Sequence, residues 1–558
     1  MAAAGLRLQR PWLAIAGLIL VAVAALWQNA QIEADFGREP HSLSWGPLLF
    51  RVMLALHGFV LAGASFLPRR NGTSKLRESI DRGALLILSG ITAIAILLRI
   101  PGLDSCLWLD EVLTMVRFAR PPVATIVTSF PDQNQHMLYS LLAHWSLLAF
   151  GEHAWALRVP SVLFGAGSLW TLFLLGRRIV GRAEALLACA LMAVSYHHIW
   201  FSQNARGYMG LLFFTNLSTW LWLRCFEDDR LRTWLLYAVS VALGFWIHMT
   251  MLFVAVAHAL IWLVVWLRAG RNLPALARAA AAFALCGTLV LQLHALALPE
   301  FFRTAMGEFS PPSEWTNPFW VITESMRSLR VGFGGMAVVL GGVVFLAAGW
   351  VDILRRNARA AWAMVLPGIM GGGITLAMGH NLWPRFFFFC MGFALLIVIH
   401  GTMMLPRLLG EWARWDPRLA IRAGYALAGV LIVASITTIP RGYALPKQDF
   451  TGARDYVERQ RLSGDQVVSV GLASAAYSSY YAPAWTVAKT QDELASIRAR
   501  GTRTFLVYTL PVALKSANPD IWQIVQSDFE TLRIFPGTLG GGEVYVCRSR
   551  ERNALKLH

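Results

Sequence analysis

The chain has 558 residues, of which 56% are hydrophobic and only 15% are charged. A soluble protein normally carries about 25% charged residues, so the composition excludes an ordinary water-soluble enzyme and favours an integral membrane protein. The net charge of +17 is typical of nucleic-acid binding, but the basic residues fall in short segments between apolar runs, which argues against a nucleic-acid partner.

Apolar runs of about 20 residues, the length that crosses a bilayer, recur along most of the chain. They predict about thirteen transmembrane helices. These lie near residues 12–30, 47–67, 83–100, 159–177, 184–201, 207–224, 233–249, 250–267, 279–298, 333–354, 360–379, 386–405 and 421–440. The first two spans, within residues 1–82, are predicted to precede a larger transmembrane domain at residues 83–440.

Loops rich in arginine alternate with loops that carry fewer basic residues. Examples of the basic loops contain Arg69 and Arg70, Arg177 and Arg178, and Arg355 and Arg356. Because basic loops stay in the cytoplasm, we predict a cytoplasmic N-terminus. After an odd number of spans, the C-terminus is predicted on the outer, periplasmic face of the cell (inner) membrane.

Residues 101–158 are predicted to form one large outer loop, although they contain the apolar run His136–Phe150. Counting this run as a span would place Arg177, Arg178 and every later basic loop outside. The run has only about 15 residues, which is short for a crossing. We therefore predict an amphipathic helix that lies in the outer membrane interface.

From about residue 441 the apolar runs shorten to the length of β-strands. The pattern predicts strands at Gln466–Val470, Thr504–Tyr508, Thr531–Phe535 and Glu543–Cys547, and helices at Phe450–Gln460 and Gln491–Arg500. We predict a small extracytoplasmic α/β domain at residues 441–558. The whole chain is thus expected to be a mainly α polytopic bundle with one α/β domain.

Acidic residues lie in the loops, at the ends of spans and in the C-terminal part, and none lies in the middle of a predicted span. A cation-coupled transporter usually needs an intramembrane carboxylate, so this distribution argues against that class. Reactive side chains gather instead on the predicted outer side. They are Asp110, Glu111, His136, Tyr139, Gln203, Arg206, Tyr208, His248 and Arg385. Among them, we predict that His136, Tyr139, Gln203, Tyr208 and His248 line the substrate cavity.

This set of residues suits the transfer of a sugar from a phosphate carrier. A carboxylate can deprotonate an acceptor hydroxyl, and arginines hold a phosphate leaving group. The sequence contains neither a GxxxxGK[ST] loop nor a GxGxxG fingerprint, so a membrane-borne sugar phosphate is favoured over a nucleotide sugar.

Cysteine and histidine spacing predicts no metal centre, and the need for a divalent metal stays open. Cys106 and Cys547 are both predicted on the outer side, where a disulfide is permitted, but no pattern pairs them. No other cofactor is predicted.

Five motifs in order carry a resemblance to a known family. They are Trp108-Leu109-Asp110-Glu111, Gln135–Tyr139, Gly151–Ser161, Ser202–Tyr208 and Pro384-Arg385-Phe386. This series resembles the bacterial branch of the GT-C membrane glycosyltransferases, relatives of the protein O-mannosyltransferases and of the lipid A aminoarabinose transferase. The resemblance extends to Lys447–Ala453, which is similar to the family's junction with its outer domain. The two N-terminal spans lie outside it.

The resemblance implies a role for each matching residue. Asp110 matches the catalytic base of the first outer loop, and Glu111 matches a neighbour that orients the base or the acceptor. Arg206 and Arg385 match positions near the lipid phosphate. His136 and Tyr139 match a segment that lines the cavity, although the family's prolines are missing at Gln135–Met137.

The implied reaction moves a sugar, a hexose or a pentose, from a polyprenyl-phosphate donor to a lipid, glycan or protein acceptor in the cell envelope. Two alternatives stay open. A lipid or glycan flippase or transporter would use the same groove between the helices, and an envelope assembly subunit that has lost catalysis would act through the outer α/β domain. Neither alternative needs Asp110 as a base. The same residues also suit purely structural roles. Asp110 and Glu111 are favourable in the first turn of a helix, and arginines anchor helix ends at lipid headgroups.

Overall fold

A computed structural model describes residues 10–66, 81–228, 230–270, 273–305, 312–333, 336–380 and 383–550. The described part begins with helices α1 (Pro11–Leu26), α2 (Asn29–Asp35) and α3 (Gly46–Ala64). Helices α1 and α3 cross where Gly17 meets Gly58, and a Cβ atom on either residue would collide with the carbonyl oxygen of the other. Glycine is therefore required for this close helix pair, as is common in membranes.

The outer loop and the bundle follow in chain order. The outer loop and the helix before it contain α4 (Arg82–Leu97), α5 (Leu109–Leu113), a π-helical turn (Thr114–Ala119), α6 (Val123–Thr128) and α7 (Met137–Phe150). The bundle continues with α8 (Ala154–Ile179), α9 (Arg182–Ala193), α10 (Tyr196–Ser202), α11 (Tyr208–Asp228), α12 (Leu231–Ile247), α13 (Met251–Arg268), α14 (Leu273–His294) and α15 (Leu298–Ala305). It ends with α16 (Ser313–Thr316), α17 (Pro318–Phe333), α18 (Met336–Arg356), α19 (Ala358–Ala377), a 3-10 helix (Pro384–Cys390), α20 (Met391–Trp412), α21 (Pro417–Ile436) and α22 (Ile439–Ala444).

A helix lies at each of the predicted spans, and the prediction of a polytopic helical protein is confirmed. Within the described residues, seven helices are long and apolar enough to cross a membrane, and up to nine are if each of two bent pairs counts as one span. The bent pairs are α1 with α2 and α9 with α10. The number of thirteen spans and the orientation of the termini stay predictions.

Helix α7 covers the apolar run that was predicted to lie in the membrane interface. It has 14 residues. It buries Ala143 and Leu147, while Trp145 and Leu148 are 52% and 73% exposed. Such a helix has apolar side chains on both its inner and its outer face, and its depth in the membrane stays a prediction.

The C-terminal part contains helices α23 (Phe450–Gln460), α24 (Ala473–Ala476), α25 (Gln491–Ala499), α26 (Pro511–Ala517) and α27 (Pro519–Asp528) and a π-helical turn (Tyr477–Tyr481). Its strands are β1 (Gln466–Val470), β2 (Thr486–Ala488), β3 (Thr504–Thr509), β4 (Phe529–Phe535) and β5 (Val544–Ser549). They form one sheet in the order β2-β1-β3-β5-β4. Strand β1 is parallel to β2 and β3, and β5 is antiparallel to β3 and β4.

The small sheet confirms the α/β prediction, including all four predicted strands and both predicted helices. Strand β2 was not predicted, because three residues are too few to show an alternating pattern. Helices α26 and α27 were also not predicted.

Gln448 ties the C-terminal part to the loop that carries Asp110. Its Oε1 accepts the backbone N–H of Leu109 at 3.0 Å. Its Nε2 donates to Oγ1 of Thr509 and to the carbonyl oxygen of Gly542, each at 3.0 Å. The sheet therefore lies on the same face of the bundle as the outer loop, and it fixes the backbone directly before Asp110.

Candidate functional site

Asp110 lies in the first turn of α5, and only 7% of its surface is exposed. Its Oδ2 atom is 3.4 Å from Nη1 of Arg206 and 3.6 Å from Nη1 of Arg385. These three residues come from the outer loop, from the turn between α10 and α11, and from the start of the 3-10 helix before α20. The fold thus brings the predicted base and both predicted phosphate ligands to one point.

Several polar atoms around this point lack a hydrogen-bond partner among the described residues. They are Oδ2 of Asp110, Nε of Arg206, Nε of Arg385 and Nε2 of His136, and all four are buried. Buried polar atoms in folded proteins are nearly always paired. Four unpaired atoms near one another indicate a place for a polar ligand that would supply the missing partners.

Arg206 is positioned by Asn134 and by the glycine that follows it. Its Nη1 donates to Oδ1 of Asn134 at 2.6 Å. A Cβ atom on Gly207 would collide with the carbonyl oxygen of Ile247 and lie 3.0 Å from Nδ1 of His136. Only glycine lets these groups approach the turn. Sequence reasoning missed Asn134, although it directly precedes the Gln135–Tyr139 motif.

Two histidines and a tyrosine form one wall beside Arg206. The rings of His136 and His248 are stacked with centroids 4.7 Å apart, and the ring of Tyr208 lies 5.1 Å from that of His248. Nδ1 of His136 is 3.0 Å from the carbonyl oxygen of Ile247 and must donate to it. Burial, with Arg206 and His248 nearby, lowers the pKa of His136 well below its ordinary value.

A neutral His136 that donates from Nδ1 carries a free lone pair on Nε2, the atom that is buried without a partner. This atom can accept a hydrogen bond from a ligand hydroxyl. The tautomer follows from the Nδ1 contact with the Ile247 carbonyl, since a carbonyl oxygen can only accept.

Arg385 lies where the site opens, and about a quarter of its side chain is exposed (24%). Its guanidinium carbon is 4.9 Å from the ring centre of Trp383 and 5.8 Å from that of Trp108. Stacking on aromatic faces orients an arginine while its N–H groups stay available to donate hydrogen bonds. Trp383 was not singled out in the sequence.

Glu111 has a different environment from its neighbour Asp110. It is fully buried, and its carboxylate forms two hydrogen bonds with Arg158, at 2.8 and 2.5 Å. It also accepts the backbone N–H groups of Ala205 at 2.7 Å and Trp108 at 3.3 Å. Burial alone would raise the pKa of Glu111, but the charges of Arg158 and Lys447 and the hydrogen bonds hold it below the ordinary value.

These contacts make Glu111 a link between the outer loop, α8 and the turn before α11. Both carboxylate oxygens of Glu111 already accept hydrogen bonds from groups of the protein. Glu111 therefore suits the supporting role that the resemblance implied rather than a contact with substrate. Arg158 is the buried partner of Glu111 in this link.

Tyr139 and Gln203 were predicted to line the cavity, but their polar groups bind backbone carbonyls. The hydroxyl of Tyr139 donates to the carbonyl oxygen of Leu157 at 2.7 Å. Nε2 of Gln203 donates to the carbonyl oxygens of Arg99 and Pro101 at 2.9 and 2.5 Å. The structure therefore does not bring these two polar groups to the unpaired cluster around Asp110.

Lys447 is a further buried cation that sequence reasoning quoted but did not assign to the site. Its Nζ donates to the carbonyl oxygen of Gln203 at 2.5 Å, lies 3.9 Å from Oε1 of Glu111 and lies 5.3 Å from the ring centre of Trp200. Burial lowers the pKa of Lys447 to about 7, against the opposing attraction of Glu111.

An apolar cavity of about 150 Å³ lies next to the histidine pair. Met137 and Met249, which directly follow His136 and His248 in the chain, line it together with Phe130, Phe245, Phe301 and other apolar side chains of α14 and α15.

Within the described residues, no group of three or more His, Cys, Asp or Glu side chains could hold a metal ion. Cys106 and Cys547 do not form a disulfide with each other in this structure.

Comparison with known proteins gives a family match over part of the bundle. Residues 135–291 match the family of dolichyl-phosphate-mannose-protein mannosyltransferases. A Bacillus subtilis (strain 168) protein named as a candidate mannosyltransferase, YkcB, is 32% identical over 96 residues. That segment covers 17% of this chain and 13% of the Bacillus protein, so the chain spans only a small part of this relative.

Solved structures match over much more of the chain. The oligosaccharyltransferase of Archaeoglobus fulgidus, tethered to an acceptor peptide, is similar with a TM-score of 0.51 and 10% identity, over 83% of this chain and 74% of that one. The transmembrane part of this chain has the GT-C fold. ArnT from Cupriavidus metallidurans bound to undecaprenyl phosphate has a TM-score of 0.49 and 11% identity, over 84% of this chain and 98% of that one.

The GT-C fold relates this chain to membrane glycosyltransferases. The family match includes His136, Tyr139, Gln203, Arg206, Tyr208 and His248, whereas Asp110 and Arg385 lie outside the matched residues. Asp110 and Arg385 are therefore connected to the matched segment by their positions in the structure, because Arg206 of that segment and Arg385 both approach Oδ2 of Asp110.

Proposed function

We propose that this protein is an inverting glycosyltransferase that moves a sugar from a polyprenyl-phosphate donor to an acceptor of the cell envelope. The observation that carries the proposal is the convergence of Arg206 and Arg385 on one oxygen of Asp110. The site is on the extracytoplasmic face of the inner membrane, which is the side that the basic loops predict for the outer loop.

The two arginines bind the donor phosphate. Each has an unpaired buried Nε, and arginine presents several donors in a geometry that suits phosphate oxygens. Asp110 and a phosphate compete for the same guanidinium groups. A bound phosphate would therefore draw the arginines away from Asp110 and leave its carboxylate free to act on the acceptor.

The reaction is a single displacement at the anomeric carbon. The acceptor oxygen gives its proton to Asp110 as it forms the new bond to that carbon. The bond between the anomeric carbon and the phosphate oxygen breaks, and polyprenyl phosphate leaves with the bonding electrons. A phosphate is a good leaving group and needs no second carboxylate, so Glu111 can stay in its link with Arg158.

The wall beside Arg206 holds the sugar. Nε2 of His136 accepts a hydrogen bond from a sugar hydroxyl, and the ring of Tyr208 provides an apolar face. The apolar cavity lined by Met137 and Met249 takes the first carbons of the lipid. The acceptor, whether lipid, glycan or protein, approaches Asp110 from the side of Arg385.

A direct test uses purified protein in nanodiscs with polyprenyl-phosphate sugars, each labelled in the sugar. Release of polyprenyl phosphate together with transfer of label to an envelope extract is the expected result. In sealed proteoliposomes of the same protein, movement of the labelled lipid across the bilayer without cleavage would identify a flippase instead. A protein that binds no donor at all would contradict the proposal.

A further inference from the structure

The N-terminal helices form a second cavity against the outer loop, separate from the site of Asp110. It has a volume of about 180 Å³. Its walls come from the segment between α2 and α3, from the end of α6 and from α15. The lining residues are Arg38, Ser42, Leu43, Thr128, Ser129, Leu296, Pro299, Glu300 and Arg303. Three of these belong to the part of the chain that the family resemblance leaves out.

The charged groups of this cavity favour an anion. Arg38 and Arg303 face one carboxylate, Glu300, whose Oε2 already accepts the backbone N–H of Phe130 at 2.7 Å. Nε of Arg38 donates to Oγ1 of Thr128 at 2.7 Å. Neither arginine has an ion-pair partner among the residues that the structure describes, so both guanidinium groups can bind an anion. A second carboxylate beside the cavity, Glu33, is buried and accepts the backbone N–H groups of His41 and Leu43.

The position of the cavity favours a lipid headgroup. It lies at the ends of α1, α3 and α14, all of them apolar helices. Around it, Trp45 and Phe302 are 42% and 47% exposed and contact each other with ring centres 6.1 Å apart. Aromatic side chains of this kind are typical of the membrane interface.

The size of the cavity also limits the ligand. Pockets for drug-sized ligands have volumes of about 300–1,000 Å³, so 180 Å³ suits one phosphate group with its nearest atoms rather than a saccharide chain. Arginine side chains hold phosphate oxygens through charge-assisted hydrogen bonds, which suits the phosphate of a lipid headgroup.

We propose that this cavity binds the phosphate of an anionic phospholipid headgroup, held by Arg38 and Arg303. The bound lipid stabilises the outer loop, because Arg38 contacts Thr128 and Glu300 contacts Phe130. This stretch leads directly to Asn134, the residue that positions Arg206. The proposal is independent of the donor and of the chemistry at Asp110.

The test compares the protein in nanodiscs of phosphatidylcholine alone with nanodiscs that also contain phosphatidylglycerol. The readouts are the midpoint of thermal unfolding and the phosphatidylglycerol retained in native mass spectrometry. The wild type should unfold at a higher temperature with phosphatidylglycerol and should retain it. The variants Arg38→Gln and Arg303→Gln should each bind it about tenfold more weakly, the effect of one lost charge-assisted contact.

Two further variants separate anion binding from general structural damage. Glu300→Gln keeps an oxygen that can accept the N–H of Phe130 but removes a negative charge, so retention should increase. Arg441→Gln changes an exposed arginine of α22 and should have no effect. Equal retention by the wild type and both cavity variants would overturn the proposal. So would the same gain in midpoint from inorganic phosphate in phosphatidylcholine nanodiscs, which would assign a free-phosphate site instead.

Discussion

Nη1 of Arg206 lies 3.4 Å from Oδ2 of Asp110, although the two residues belong to different segments of the bundle. Arg385 approaches the same oxygen at 3.6 Å. One carboxylate between two arginines gives a site with one excess positive charge, and a donor with a single phosphate charge would neutralise it. This arrangement leads to distinct expectations for the carboxylate and for the arginines.

Asp110→Asn should reduce turnover by about 100-fold or more while donor binding persists. The amide keeps the size of the carboxylate but cannot take the proton from the acceptor. The measurement is single-turnover transfer of labelled sugar, with donor affinity determined on the same preparation. Near wild-type turnover would remove Asp110 as the base. A product that keeps the anomeric configuration of the donor would exclude a single displacement.

Arg206→Ala and Arg385→Ala should each weaken donor binding by about 1.5–3 kcal/mol, the range for a hydrogen bond to a charged group. Binding of a polyprenyl-phosphate sugar to the protein in nanodiscs measures this. Arg441→Ala, at an exposed arginine of α22, is the matched control. If both site variants bind the donor as the wild type does, these arginines are anchors at the membrane interface.

Glu111→Gln should unfold more easily rather than lose turnover selectively. The change leaves Arg158 buried without its ionic partner, which costs about 3–5 kcal/mol. The thermal midpoint of the purified variant tests this, with Glu152→Gln, at a carboxylate of the same loop that is 54% exposed, as the control that should stay close to the wild-type midpoint. A stable but inactive Glu111→Gln protein would instead place Glu111 in the chemistry.

Lys447 should make stability depend on pH. Its pKa in the folded protein is about 7, compared with 10.5 for an ordinary lysine, so between these values the unfolded chain binds more protons than the folded one. Stability therefore rises with pH across this window, and the full penalty of burying the charge applies below about pH 7. Relative to Lys447→Met, the wild type should gain in thermal midpoint from about pH 7 to pH 9. If the thermal midpoints of the wild type and of Lys447→Met change in parallel with pH, Lys447 does not titrate in this range.

The C-terminal domain should lie outside the cytoplasm, because the arginine-rich loops alternate along the chain. A reporter fused after Gly471 that is active only outside the cytoplasm should be active. Because Gln448 is hydrogen-bonded to Leu109, the loop that carries Asp110 should lie on the same side of the membrane as the C-terminal domain. Activity of a cytoplasmic reporter at this position would mean that the span count is wrong by an odd number.

The sequence by itself determined the membrane class, the helix at each apolar run, and four of the five strands and two of the helices of the C-terminal part. These features follow from hydrophobic length and periodicity, which are local properties of the chain. The motifs also indicated the residues around Asp110, since the order of the motifs along the chain can be read without coordinates.

Only the tertiary structure decided which groups each of these residues contacts. Asp110 and Glu111 are neighbours in the sequence, but successive side chains on a helix point in different directions, so one faces two arginines and the other a buried Arg158. Tyr139 and Gln203 have the polarity of ligand-binding residues, yet their polar groups bind backbone carbonyls. Such partners come from distant segments, and only the packing of the helices brings them within reach.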